Sequence, residues 1–236
     1  MFNSKLKLDI VDFHSHILPG ADHGTSSVEN TLTQLMHAKS CGIKRIIATP
    51  HFYPMVDNVD AFLQRRAKAF ARLSEHIEEE MPQIKLGAEV MMCTGIDRLP
   101  GLEHLFVDGT RTLLMEFPHA GFQSDYADSV YRLVQDGVNV IVAHPERYDK
   151  KSVECVLDSG AKLQCNAHTL VKVRTNRLLR QWVADKNIVA IGSDIHKQDF
   201  LAYHSFVKAV ARMGDYSKFI KDMSDAVWDA AMSAKK

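Results

Sequence analysis

The sequence predicts an α/β protein, a barrel of parallel strands wrapped by helices, and three observations predict it. Short apolar runs recur along almost the whole chain. Segments whose apolar residues fall at helical spacing separate them. The runs are apolar nearly throughout rather than at alternate positions, as in strands covered on both faces. Strand, helix, strand, helix with short connections makes parallel strands joined by crossovers. About seven such units in one domain of 236 residues suggest a βα barrel with fewer than the usual eight strands. An open doubly wound sheet is the alternative.

The elements follow in order. LKLDIVDF opens the series and leads into HSH. Residues 26–41 read as a helix, with Val28, Leu32, Leu35, Met36 and Cys41 at helical spacing and Gly42 as its C-cap. KRIIATP is the second strand and ends at His51. Residues 57–80 form a longer helix, with Phe62, Ala69, Phe70, Leu73 and Ile77 on one side. IKLGAEV contains Glu89, and RTLLMEF contains Glu116. A helix over 125–135 ends at Gly137, before VNVIVA and His144. A helix over 152–158 ends at Gly160, before AKLQCN and His168. A helix over 178–186 carries Trp182 and Val183, before NIVAIGSD and His196. The tail from Phe200 is helical, with Phe206, Val207, Val210 and Phe219 as its apolar positions. No linker, low-complexity segment or further repeat divides the chain, so residues 1–236 read as a single domain.

Composition narrows the function. Lys+Arg and Asp+Glu both number 29, so the formal charge is zero and gives no argument for nucleic acid or an anionic membrane as partner. Cys41, Cys93, Cys155 and Cys165 are scattered without a CxxC pair, which argues against disulfides and against a zinc site built of thiolates. MFNSKLKLDIVDF is not a signal peptide, and no run approaches the ~20 apolar residues of a membrane span. A soluble cytoplasmic protein is expected.

The twelve histidines are the unusual count. One positional rule collects the chemistry: His14, His16, His51, Glu89, Glu116, His144, Asp194 and His196 all lie at or just past the C-terminal ends of strands. In a βα barrel that is the catalytic face. His14 and His16 share a side by alternation, as do Asp194 and His196. Asp22 and His23 follow in a glycine-flanked loop that either could extend to the same site. A carboxylate in an apolar strand is costly unless paired or bound to metal, and Glu89 and Glu116 are two such carboxylates. Imidazole and carboxylate donors without thiolate favour zinc, manganese or iron, and this many ligands suit two or three ions bridged by Glu89 and Glu116. Such a cluster lowers the pKa of water and stabilises charge on a phosphoryl group, which Arg147 can grip in forked geometry. No GxSxG elbow is present for a serine hydrolase.

HSHILPGADHG, TPH, GAEV, MEF, AHPERY and SDIH, in that order from about Asp9 to His196, resemble the PHP (polymerase and histidinol phosphatase) superfamily. The closest resemblance within it is to bacterial capsule-associated protein-tyrosine phosphatases of CpsB type. The resemblance implies a distorted seven-stranded βα barrel, the PHP fold, with three divalent metal ions, usually manganese. His14, His16, Glu89 and Asp194 would hold one ion; Glu89, Glu116 and His144 a second; His51, His196 and His23 a third. Arg147, Asp194 and His196 would be the catalytic residues, with Arg147 on the phosphate. The implied reaction is phosphotyrosine hydrolysis by a metal-activated hydroxide. The implied substrate protein is a bacterial tyrosine autokinase that regulates capsule or exopolysaccharide synthesis. Association into a homo-oligomer is compatible with the polar outer side of the 26–41 helix.

Two departures bear on the substrate. The first loop reads Asp22-His23-Gly24 where these enzymes usually read DDG, and KQDFLAYHS after SDIH lacks their further arginine, for which Lys197 is a candidate replacement. Three other readings stay open: a small-molecule phosphomonoesterase such as a histidinol-phosphatase-like enzyme, a metal-binding protein without turnover, and an amidohydrolase-like enzyme. The last lacks its mid-barrel lysine, because the corresponding strands carry Glu89 and Glu116.

Overall fold

The computed structural model describes residues 9–118, 121–197, 199 and 201–233. The strands are β1 (Asp12–Ser15), β2 (Arg45–Ala48), β3 (His51–Phe52), β4 (Gln83–Leu86), β5 (Glu89–Met91), β6 (Thr112–Glu116), β7 (Asn139–Ala143), β8 (Lys162–Asn166) and β9 (Ile188–Gly192). The helices are α1 (Val28–Ser40), α2 (Val59–Ser74), α3 (Ser124–Gln135), α4 (Lys150–Asp158), the short α5 (Ala167–Leu170), α6 (Arg177–Ala184), α7 (Ala202–Met213) and α8 (Tyr216–Ser233). The protein is α/β with parallel strand pairing, as the sequence predicts.

Seven expected strands become nine because two of them break. Thr49-Pro50 separates β2 from β3, and Gly87-Ala88 separates β4 from β5. Pro50 has no N–H to give a ladder. Among the described residues the ladders make two sheets, β1-β2-β4 and β3-β5-β6-β7-β8-β9, rather than one closed sheet. Backbone bonds continue past the breaks: Thr49 N–H donates to the Ser15 carbonyl at 2.9 Å and Glu89 N–H to that of Pro50 at 3.1 Å. After β9 the chain runs beside β1. Asp194 N–H donates to the His14 carbonyl at 2.8 Å, and His16 N–H to the Ile195 carbonyl at 3.1 Å.

Strands β2, β6, β7 and β9 bury their two faces in two different cores, which is why their runs read apolar throughout. Ile46, Leu113, Met115, Val140 and Val142 pack with the helices. Ile47, Leu114, Ile141 and Ala143 pack with Phe13 and with Trp228 of α8. Towards the C-terminal ends the side chains of this second face turn polar: Leu114 is followed two residues later by Glu116, and by the same alternation Glu89, His51, Gln164 and Asn166 face inward. Residues 6–8 of the first predicted strand and Phe200 of the tail lie outside the described residues. The 57–80 helix is shorter than expected; α2 stops at Ser74, before Ile77.

Candidate metal centre

Parallel register sets three ligand-type side chains next to one another. His51 pairs with Glu89 across β3 and β5, and Met91 pairs with Glu116 across β5 and β6. His144 and Asp194 turn at the ends of β7 and β9 in the left-handed region, with φ of 34° and 51°. Non-glycine residues there carry strain that recurs at functional sites. Two glycines leave room for the first histidine pair. A Cβ at Gly192 would sit 2.5 Å from His14 Cβ, and one at Gly24 would sit 2.5 Å from His16 Cβ.

Glu89 is fully buried at the centre of four imidazoles. Its Oε2 lies 3.1 Å from His14 Nε2, 3.3 Å from His16 Nε2 and 3.0 Å from His51 Nδ1, and its Oε1 lies 2.8 Å from His144 Nε2. Glu116 approaches His51 Nδ1 at 3.1 Å and His144 Nε2 at 3.9 Å. Asp194 Oδ1 lies 3.6 Å from His14 Nε2 and 3.5 Å from His16 Nε2. His196 stacks on His16 with ring centroids 4.0 Å apart.

This arrangement fits divalent cations on its own geometry. His14 Nδ1 lies 2.8 Å from Gln164 Oε1, and His16 Nδ1 lies 2.6 Å from Asp22 Oδ2, so each ring donates its Nδ1 proton outward. The two Nε2 atoms then face each other at 3.0 Å. Facing lone pairs repel unless a proton or a cation lies among them, and an outer acceptor fixing the tautomer is the usual support of a metal-bound histidine. Glu89 Oε2 is buried and accepts no well-directed hydrogen bond. His16, His51 and His196, then His14, His16 and Glu89, then His51, Glu89 and Glu116 each bring donor atoms within 4.8 Å of one another.

Without metal, protons balance the charge. Burial pushes His14 down, but the charges of Glu89 and Asp194 outweigh it and hold the imidazole at about 9. His16 is raised in the same way by Asp194, Asp22 and Glu89 against its burial. Burial raises Glu89, yet the facing imidazoles keep its carboxyl well below the usual range. Burial and the neighbouring His16 lower His196 to about 4, leaving it neutral at pH 7.

Residues 10–213 match the family of capsular polysaccharide synthesis proteins CpsB/CapC. The chain belongs to this family. Tyrosine-protein phosphatase CpsB of Streptococcus agalactiae is 22% identical over 205 residues, which cover 80% of this chain and 84% of that protein. The putative tyrosine-protein phosphatase CapC of Staphylococcus aureus is 28% identical over 200 residues, covering 79% and 77%. Tyrosine-protein phosphatase YwqE of Bacillus subtilis is 29% identical over 141 residues, covering 58% and 55%. The fold matches a solved structure from the work on YwqE and on CpsB of Streptococcus pneumoniae, described as unique metal-dependent tyrosine phosphatases, with a TM-score of 0.74, 21% identity and 94% of each chain covered.

Within this CpsB/CapC chain, His14, His16, His51, Glu89, Glu116, His144, Asp194 and His196 come together. Arg147 sits at the rim, half exposed, with its guanidinium on Asp194 Oδ2. His23 is exposed and lies flat over His51, ring centroids 4.6 Å apart and planes 12° apart. It is in none of the close donor groups found among the described residues. His168 is exposed on α5 and is in none of the close donor groups found among the described residues. Sequence reasoning gave no role to Gln164, Asn166, Tyr148 or Asp12. Asn166 Nδ2 donates to Asp194 Oδ2 at 2.8 Å, and the Tyr148 hydroxyl lies 2.9 Å from His144 Nδ1. The polar alternation Gln164, Asn166 within AKLQCN was their signal. Asp12 ties β1 to the end of β9, accepting from Ser193 N–H at 2.8 Å and from the Ser193 hydroxyl at 2.6 Å.

Proposed function

We propose that this chain is a metal-dependent protein-tyrosine phosphatase serving capsule or exopolysaccharide synthesis, with a phosphotyrosine protein, a bacterial tyrosine autokinase, as substrate. One observation carries the reading. The histidine–carboxylate cluster opens into a cleft of about 270 Å³ bounded by Glu116 and His144 on the cluster side, Arg147 at the rim, and Phe117, Phe122 and Tyr148. Phe117 and Tyr148 are stacked at 4.2 Å, and Phe122 lies 5.0 Å from Phe117. A phosphate on the cluster therefore has an aromatic slot beside it that suits an aryl group.

His14, His16, Glu89 and Asp194 would hold one divalent ion; Glu89, Glu116 and His144 a second; His51, His196 and His23 a third. Manganese ions, or zinc or iron in their place, would make water nucleophilic near neutral pH and draw charge from the phosphoryl oxygens. The protein supplies position and electrostatics. Gln164 and Asp22 fix the tautomers of His14 and His16. Asn166 and Arg147 fix Asp194. Arg147, Asp194 and His196 are assigned to catalysis, with Arg147 releasing Asp194 to grip the substrate phosphate. Lys197, in the loop after β9, lines a second cleft with His23 and is the candidate for a further phosphate contact.

The same reading takes the two sheets as halves of one distorted seven-stranded barrel in a single domain over 1–236. The Asp194–His14 and His16–Ile195 backbone bonds support closure between the last strand and the first. The protein is placed in the cytoplasm, and no described helix is long and apolar enough to cross a membrane. It is open to homo-oligomer formation. The deciding experiment compares kcat/KM for a phosphotyrosine peptide with that for histidinol phosphate on manganese-loaded protein. The peptide is expected to win; preference for histidinol phosphate would transfer the assignment to a small-molecule phosphomonoesterase.

A further inference from the structure

Outside the strand-end cluster, the described residues hold one more group of three donor side chains within 4.8 Å of one another: His37, Cys41 and His204. His37 and Cys41 are one turn apart at the C-terminal end of α1, where Cys41 N–H donates to the His37 carbonyl at 3.1 Å. Side chains at that spacing leave a helix on the same face. His204 reaches across from α7, its ring centroid 4.9 Å from that of His37. All three are half-buried, so an ion can enter from solvent and still have protein on its other side. Asp199, in the segment before α7, is near enough for its charge to act on His37.

We infer that His37, Cys41 and His204 form a second metal site, separate from the strand-end cluster, which takes zinc and clasps α1 to α7. Two imidazoles and one thiolate are a zinc donor set, whereas manganese favours oxygen. The fourth position falls to water or to Asp199. On binding, the Cys41 thiol gives its proton to solvent and its sulfur becomes a ligand. The absence of a CxxC pair hid the site in the sequence, because a single thiol with imidazoles from two helices leaves no short motif. The clasp bears on the catalytic loop. Asp194 and His196 lie on the segment leading into α7, and Gln34 of α1 donates to the Lys197 carbonyl within it. Zinc bridging α1 and α7 would hold that segment from both sides.

Cobalt(II) titration of the manganese-loaded full-length protein tests this. The strand-end cluster contains no cysteine, so cobalt there gives no sulfur-to-metal charge-transfer band. The wild-type protein is expected to develop that near-ultraviolet band to one equivalent, and equimolar zinc is expected to abolish it. Cys41→Ser and His204→Ala should each lose the band while keeping the manganese content and the rate of aryl phosphate hydrolysis that the wild type shows without zinc, which also certifies their folding. Zinc-edge absorption on the unmutated protein should show a sulfur neighbour at about 2.3 Å. No band in the wild type, or a band that survives Cys41→Ser, overturns the inference and leaves the phosphatase reading intact.

Discussion

Glu89→Gln keeps the shape of the central side chain and removes its charge, and the consequences can be sized. In the metal-free protein His14 is buried, which disfavours its charged form, yet Glu89 and Asp194 lift it from 6.5 to about 9. At 1.36 kcal/mol per pKa unit this is roughly 3 kcal/mol in favour of the imidazolium. Without the Glu89 charge, burial gains the upper hand and His14 should titrate near or below neutrality. The same oxygen atoms face His14, His16, His51 and His144. Loss of an outer-shell partner alone typically weakens a metal site ~10–100-fold. Loss of a central carboxylate should therefore weaken binding by more than ~100-fold, about 3 kcal/mol. Histidine NMR titration of the metal-free variant reads the first effect; metal analysis after gel filtration and the rate on an aryl phosphate read the second. A folded Glu89→Gln variant with wild-type manganese content, wild-type rate and an unchanged His14 titration would refute the reasoning.

Arg147→Ala should lower kcat/KM on a phosphotyrosine peptide ~10–100-fold, the worth of a hydrogen bond to a charged group, with metal content unchanged; Lys should restore only part, lacking the fork. Phe122→Ala should raise KM for aryl phosphates ~2–10-fold and leave alkyl phosphates unaffected, from the usual worth of an aromatic contact; equal losses on both substrate types would remove the slot from the account. Because His14 and His16 hold protons that a cation must displace, manganese affinity should rise with pH up to about 9, with proton release visible by calorimetry in buffers of different ionisation enthalpy. The sign for the metal-free fold is opposite: a raised histidine stabilises fully below its unfolded value of 6.5, and that contribution fades as pH rises through about 9.

The strands were legible because both of their faces are buried, so apolar runs carry no competing period. Their breaks were not read, although Pro50, which has no N–H for a ladder, and Gly87 stand at the two gaps. Strand-end position found the ligand-type residues because parallel strands send all their C-terminal ends to one side. The rule also has a blind spot. Asp12 is a buried carboxylate in a strand like Glu89, yet it serves Ser193 and the backbone, a role visible only once β1 and β9 are adjacent. The tautomer-fixing partner Gln164 was hard to find for a related reason, its contact with His14 spanning 150 positions of sequence, whereas Asp22, named from its glycine-flanked loop as able to reach the site, does contact His16.

The proposed activity depends on cations gathered by imidazoles and carboxylates at one mouth of the strands. Diffraction recorded at the manganese absorption edge, on crystals of active manganese-loaded protein, tests it most directly. Anomalous peaks should fall among His14, Glu89, Glu116, His144 and Asp194. Peaks elsewhere, with only protons and water between those side chains, would contradict it.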